Sequence, residues 1–344
     1  MKPDLSGSIA DAPGSIADAP GSIDDAPTVV ADLARQRAAA RSRRDWAAAD
    51  RLRADIEAAG WKVTDQGLDF RLEPAVTPDM VEDGRVRHGS SLSVPSLLDT
   101  PATHAISIVL IAPDRPDELQ RALAGLRTDR PADSSLVVVA NAPDAQMAVA
   151  LGGLPSDGSD EVLWLGARLT PAAAANAGLR RSSGSVVVLL DEHARPTGDV
   201  VTPLTDALSD PAVAVAGASG LDSPDLRRWT PAGPGPVDAL GWGTLAFRRD
   251  DLIERGPLDE RLRSGRSLGP WWSLVLRDEG PDAAPRGALA LSLPLEMIPS
   301  TDEDGPSLAR AIKRDLYRLI DRFGHRYDLL RSPAPRGREA SWPR

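Results

Sequence analysis

The stretch SGSVVVLLDEHARPTGD, residues 183–199, runs an apolar strand into Asp191-Glu192-His193 and then a Pro-Thr-Gly bend. Two carboxylates and an imidazole in a row are donor types that a divalent cation takes, and such a cation could meet the charge of a nucleotide phosphate. The imidazole suits manganese or zinc and suits magnesium badly. Glu192 joins the same ion only if its side chain turns toward it. The opposite reading is an acidic strand end that merely faces solvent.

Composition narrows the chemistry. The 344 residues include no cysteine, which excludes disulfides, thiolate zinc sites and cysteine nucleophiles. A formal net charge of -10 argues against indiscriminate binding to nucleic acid, which needs clustered Lys and Arg. No apolar run reaches the ~18–20 residues of a membrane span. The N-terminus has no signal-peptide apolar core, so the expected address is cytoplasmic.

The elements that would hold the acidic tip lie in the chain's second regime. ISIVLIA (106–112), SLVVVAN (135–141), EVLWLG (161–166), SVVVLLDE (185–192) and VAVAGAS (213–219) are continuous apolar runs, as buried parallel strands tend to be. Helix-like segments at 116–127, 143–151, 171–182 and 198–208 alternate with them. This order predicts an α/β fold, a mostly parallel sheet with helices on both faces. Ligands of such sheets sit at the carboxyl ends of the strands, which is where Asp191 falls.

Several motifs follow one another in order: IAPDRPDEL after the first strand, NAGLRRSSGSVVVLLDEHARPTGD, VDALGWGTLAFRRDDLIERGPLDERL and LVLRDEG. As an ordered set, residues 105–280 resemble the family 2 glycosyltransferases, nucleotide-sugar enzymes of the GT-A fold. The resemblance implies a nucleotide-diphosphate sugar as ligand, contacted by Pro113, Asp114, Asn141, Asn176, Gly178, Asp191 and Trp271. It implies a divalent metal, manganese or magnesium, on Asp191, with Glu192 and His193 assisting. His193 stands where the family's Asp-x-Asp turn has its second Asp. The family's base, a Glu-Asp pair before the last helix, falls here on Pro270 and Trp271, so Asp259 or Glu260 would have to take the acceptor's proton. Ala140 stands where the second strand commonly ends in an Asp, and Asn141 or Asp144 could substitute. Two functions therefore remain open: a sugar transferase, or a catalytically silent domain that binds a nucleotide sugar, a glycan or a protein. Trp271 and Trp272 could stack on a sugar ring or pack in the core.

The flanks carry separate expectations. Residues 1–27, with GSIADAP-type units from residue 7, read as a disordered, mildly acidic tail, since each unit has one Ile and a Pro-Gly junction. Residues 28–59 read as a helical hairpin with Asp45 as N-cap and Gly60 as stop, and WKVTDQGLDFRLE (61–73) as a β-hairpin. LARQRAAARSRRDWAAADRLRADIEAAGWKVTDQGLDFRLE (33–73) resembles the C-terminal module of cysteinyl-tRNA synthetases, with a UvrB/UvrC-type hairpin as the alternative. Arg35, Arg37, Arg41, Arg43, Arg44, Arg51 and Arg53 give 33–59 a basic face for RNA or a protein partner, or one that is merely solvated. Residues 74–103 read as a linker, 104–302 as the glycosyltransferase-like domain and 333–344 as a disordered tail. The segment 303–332 reads as a basic amphipathic helix, strongest over 306–330. It either docks on its own domain or lies on an anionic membrane face.

Overall fold

A carboxylate just ahead of a helical stripe starts a helix by accepting its otherwise unpaired first amides. Asp45 does so, accepting from the Ala48 N–H at 3.1 Å. This is seen in the computed structural model of the chain, which describes residues 26–66, 69–75, 77–154, 158–298 and 306–332. The chain divides into two units between Thr77 and Pro78.

The smaller unit holds α1 (Thr28–Ser42), α2 (Trp46–Ala58), β1 (Trp61–Gln66) and β2 (Asp69–Pro74). Gly60, at φ 78°, ends α2 in the left-handed region that favours glycine. The strands pair antiparallel from Trp61↔Pro74 to Gln66↔Asp69. A small core of Val30, Ala31, Ala34, Ile56, Val63 and Leu72 joins helices to hairpin. The basic face expected here is partly neutralised. Arg37 and Arg41 both pair with Asp65, Arg35 with Asp32 and Arg53 with Glu57. Arg43, Arg44 and Arg51 are exposed, as is Trp46. The N-terminal repeats up to residue 25, and the expected tail from 333, lie outside the described residues.

The larger unit begins with a hairpin, β3 (Met80–Glu82) and β4 (Arg85–Arg87). The alternating part follows: β5 (His104–Ile111), α3 (Pro116–Thr128), β6 (Ser134–Asn141), α4 (Ala145–Gly152), β7 (Asp160–Leu165), α5 (Pro171–Leu179), β8 (Gly184–Leu190), β9 (Ala194–Pro196), α6 (Val201–Ala207) and β10 (Val213–Gly217). Short strands β11 (Gly220–Asp222), β12 (Thr230–Ala232), β13 (Gly235–Val237) and β14 (Ala239–Leu240) lead to β15 (Thr244–Arg248), α7 (Arg249–Arg255) and α8 (Gly265–Arg277). Last come β16 (Gly287–Ala290), β17 (Leu295–Met297) and α9 (Pro306–Phe323).

The central sheet has the order β13-β16-β10-β15-β8-β5-β6-β7. Strands β8, β5, β6 and β7 are parallel, whereas β15 is antiparallel to both its neighbours. Successive residues of a strand go to opposite faces. Thus Ile108 and Leu110 of β5 enter one core with Leu119, Leu123 and Leu204, while Val109 and Ile111 enter the other with the α5 alanines and Trp272. The fold class is as the sequence indicates.

The stretch 74–103 is not the expected linker. From Met80 on it is built onto the edge strand β7. The His88 amide donates to the Trp164 carbonyl and the Gly166 amide to that of His88, both at 2.8 Å. Arg85 and Arg87 stack on the Trp164 ring at 4.9 and 5.5 Å. Val94 is fully buried, and the Arg180 side chain donates to its carbonyl. These contacts cover a strand edge that would otherwise offer open backbone groups.

The terminal segment forms α9 and a short 3-10 turn, Tyr327–Leu329. Leu319 and Phe323 are buried in the domain core, and Phe323 meets Trp271 edge-on at 5.6 Å. Docking on its own domain is thus the observed use of this apolar stripe. Among the described residues no helix is long and apolar enough to cross a membrane.

Candidate functional site

The acidic tip is positioned by the ladder that precedes it. Beyond the Leu190↔Thr244 pair, the Asp191 amide donates to the Gly243 carbonyl at 2.9 Å. Gly243 has φ 129°, in the left-handed region that favours glycine. β17 crosses the tip, pairing antiparallel with β9, and the Ile298 amide donates to the His193 carbonyl.

The three expected metal ligands do not converge. Asp191 closes its own turn: its Oδ1 accepts from the His193 amide at 2.9 Å, and its Oδ2 stands 3.5 Å from the His193 Nδ1. Its side chain is only 9% exposed. Glu192 instead faces Arg168, Oε2 to Nη2 at 3.6 Å. Burial pushes the Glu192 carboxyl above its ordinary pKa, and Arg168 opposes that shift. Among the described residues no three His, Asp or Glu side chains gather to hold an ion. The donor set of Asp191, Glu192 and His193 therefore does not fit a three-donor metal site. The reason is physical: a one-residue step along the turn sends the middle side chain to another partner.

A cavity of about 310 Å³ opens beside the tip, at the carboxyl ends of β5 and β6. Ala112, Pro113 and Asp114 line it after β5, and Ala140 through Asp144 with Met147 line it at the end of β6 and the start of α4. Arg168 completes the lining. Asn141 uses both ends of its amide on Leu169, donating to the carbonyl at 3.1 Å and accepting from the N–H at 2.8 Å. This anchors the loop that carries Arg168. Asp144 caps α4, accepting from the Met147 amide at 2.7 Å. Ala142 sits at φ 53°, a left-handed conformation costly for a residue with a Cβ, at the lip of the cavity.

Of the residues expected from the sequence, the structure brings Pro113, Asp114 and Asn141 to this cavity and sets Glu192 against Arg168. Asp191 and His193 are held in the adjacent turn. Arg168 was not foreseen. The only cue was a lone cation just after an apolar strand, in LGARLTP.

Of the remaining expected residues, Asn176, Gly178 and Trp271 serve packing, and Asp259 and Glu260 are held by neighbouring side chains. Asn176 is buried and donates to both the Leu258 carbonyl and the Glu260 carboxylate at 2.9 Å, while accepting from the Leu258 N–H. Gly178 lets α5 lie on the sheet, since a Cβ would come within 2.4 Å of Val109 Cγ1 and 2.7 Å of Val139 Cγ2. Glu260 also accepts from the Ser91 hydroxyl. Asp259 is clasped by the Arg261 guanidinium, which holds its carboxyl below the usual range. Trp271 is buried, with Phe323 edge-on and the Arg322 guanidinium 5.2 Å from its ring, so it offers no face to a sugar. Trp272 is fully buried against Phe247.

Residues 107–258 match Glycosyl transferase family 2. GalNAc-T7 with UDP, GalNAc and Mn2+ is similar in structure, at 13% identity and TM-score 0.51, over 63% of this chain and 48% of that one. This chain thus matches about half the length of that protein. The mannosyltransferase PcManGT from Pyrobaculum calidifontis, in complex with GDP-Man and Mn2+, has 16% identity and TM-score 0.45, over 69% and 80% of the two chains. S. aureus TarS 1-349 in complex with UDP has 14% identity and TM-score 0.47, over 63% and 65%. No curated protein matches this chain. The larger unit has the GT-A fold, and its residues 107–258 match the model of glycosyl transferase family 2.

Proposed function

We propose that the larger unit is a glycosyltransferase-like domain that binds a nucleotide-diphosphate sugar at the carboxyl ends of β5 and β6. The observation that carries this reading is the cavity itself. It combines apolar Ala112, Ala140 and Met147, which suit a base, with Asn141 and Asp144 beside them and a cation at its rim. The family match over 107–258 supports it, as does the solution of GalNAc-T7 with UDP.

Transfer would form a bond from an acceptor oxygen to the anomeric carbon. It would break the bond from that carbon to the diphosphate, which leaves with the electron pair, while a base takes the acceptor's proton. A second reading, binding without transfer, is favoured by a specific observation. Asp259 is ion-paired with Arg261, Glu260 is engaged by Ser91 and Asn176, and Pro270 and Trp271 occupy a packed helix.

A thermal-shift panel of UDP-, GDP- and dTDP-sugars on the full chain, with and without manganese, tests the binding. At least one donor should raise the melting temperature; a flat panel rejects the reading. Release of nucleotide from the stabilising donor, above the blank, would remove the silent alternative. For the smaller unit we propose docking to RNA or a protein through the exposed Arg43, Arg44 and Arg51 near Trp46.

A further inference from the structure

Three strand ends converge on one guanidinium. Arg168, in the loop between β7 and α5, donates through both terminal nitrogens to the Asp114 carboxylate, at 2.6 and 2.8 Å. Asp114 follows β5, and Glu192, which follows β8, stands 3.6 Å from the same guanidinium. The guanidinium is thus a cation already seated in this crevice, whereas of the residues expected to hold a metal Asp191 and His193 engage each other and Glu192 turns away to Arg168. Resting on the nucleotide-binding reading above, we propose that the crevice takes its nucleotide diphosphate without a divalent cation. Arg168 receives the diphosphate, and Asp114 is the internal ligand it exchanges for it.

The Arg168–Asp114 pair is built to exchange. Its side chains are 51% and 66% exposed. Such a solvated pair is worth only about 0–1 kcal/mol, so opening it is cheap. A diphosphate offers the same planar fork a partner with more charge, and arginine binds phosphate oxygens bidentately where lysine acts as a point charge. The backbone beneath is held, because Asn141 grips Leu169 with two hydrogen bonds. Only the side chain must reorient, which keeps the ordering cost of binding small. Asp114 and Arg168 also both line the cavity, so a base seated among Ala140, Asn141 and Met147 would carry its phosphates toward them.

Isothermal titration of the full chain with UDP and with GDP, in EDTA and again in manganese, tests this. Binding is expected in EDTA, with manganese changing the affinity less than about threefold, a fraction of a kcal/mol. Arg168→Gln should weaken binding roughly tenfold or more, the loss of a charge-assisted pair. Arg168→Lys, which keeps the charge and loses the fork, should fall between. Asp114→Asn should tighten binding by up to about fivefold, since a competing carboxylate is gone. Both positions are exposed, so the unliganded melting temperatures of the variants should match the parent and exclude misfolding as the cause. Binding that requires manganese and ignores Arg168→Gln overturns the inference and leaves the nucleotide reading standing. An unchanged affinity in Asp114→Asn overturns the exchange. No binding in either buffer removes the nucleotide reading, and the inference with it.

Discussion

Two regions of the larger unit have been put to different uses. On the β5–β6–β7 side the polar residues stand at a cavity, in exposed and exchangeable contacts such as Asp114 with Arg168. On the 258–277 side, where the resemblance places the base, Trp271 and Trp272 are built into the interior against Phe323 and Phe247, and the exposed Glu260 is tied to Asn176 and Ser91. Groups that must meet a ligand have to remain able to leave their protein partners. Those that have become packing cannot. The difference separates a region able to bind from one that supports the fold.

The largest test of this contrast is Trp272→Ala. Removing a fully buried indole should cost about 3–5 kcal/mol of stability by denaturant unfolding. Nucleotide affinity in the surviving folded protein should be nearly unchanged. A mild stability loss with abolished binding would reverse the assignment of that region. Asn176→Ala comes next. It strands the Leu258 backbone groups and should cost about 1–3 kcal/mol, again without a matching loss of affinity.

Asn141→Ala tests the other region. Two hydrogen bonds to Leu169 disappear, worth about 1–2 kcal/mol together. Here affinity should fall as well, because the loop bearing Arg168 is released. An unaltered affinity would mean that the loop needs no such anchor.

The smallest effect sets two carboxyls against each other by pH. Burial raises Glu192, so its contribution to stability is present below the ordinary glutamate value of about 4.3 and is lost as pH rises through the raised one. Arg261 lowers Asp259, so that contribution is present above about 3.9 and is lost as pH falls through the lowered value. Glu192→Gln should therefore gain stability toward neutral pH, and Asp259→Asn should lose it there. Both differences should vanish in acid. Unfolding curves between pH 2 and pH 8 read the two signs, and equal signs would contradict the contrast.

What could be read from the chain depended on how local the determinant was. The strand β8 announces itself in SVVVLL, and α5 in PAAAANAGL, because burial on both faces and close helix packing leave composition marks. The β3–β4 hairpin left none. Its strands are three residues long and exposed, and its place depends on Trp164, far along the sequence. The same limit explains the site. Asp191 at a strand end was visible, but nothing local shows that Glu192 turns to Arg168, or that Asp114 and Arg168, 54 residues apart, close on each other. Likewise the motif position of Asn176 was recognisable, whereas its partner Glu260 lies 84 residues away. A motif matched by type does not reveal which neighbours have claimed it.

A crystal structure of the full chain with whichever nucleotide sugar stabilises it most would show directly where the nucleotide lies. The base should lie among Ala112, Asn141 and Met147, with the diphosphate on the guanidinium of Arg168 and Asp114 displaced from it. Density for the nucleotide elsewhere on the unit, or a cavity that remains filled by solvent with the Asp114–Arg168 pair closed, would contradict it.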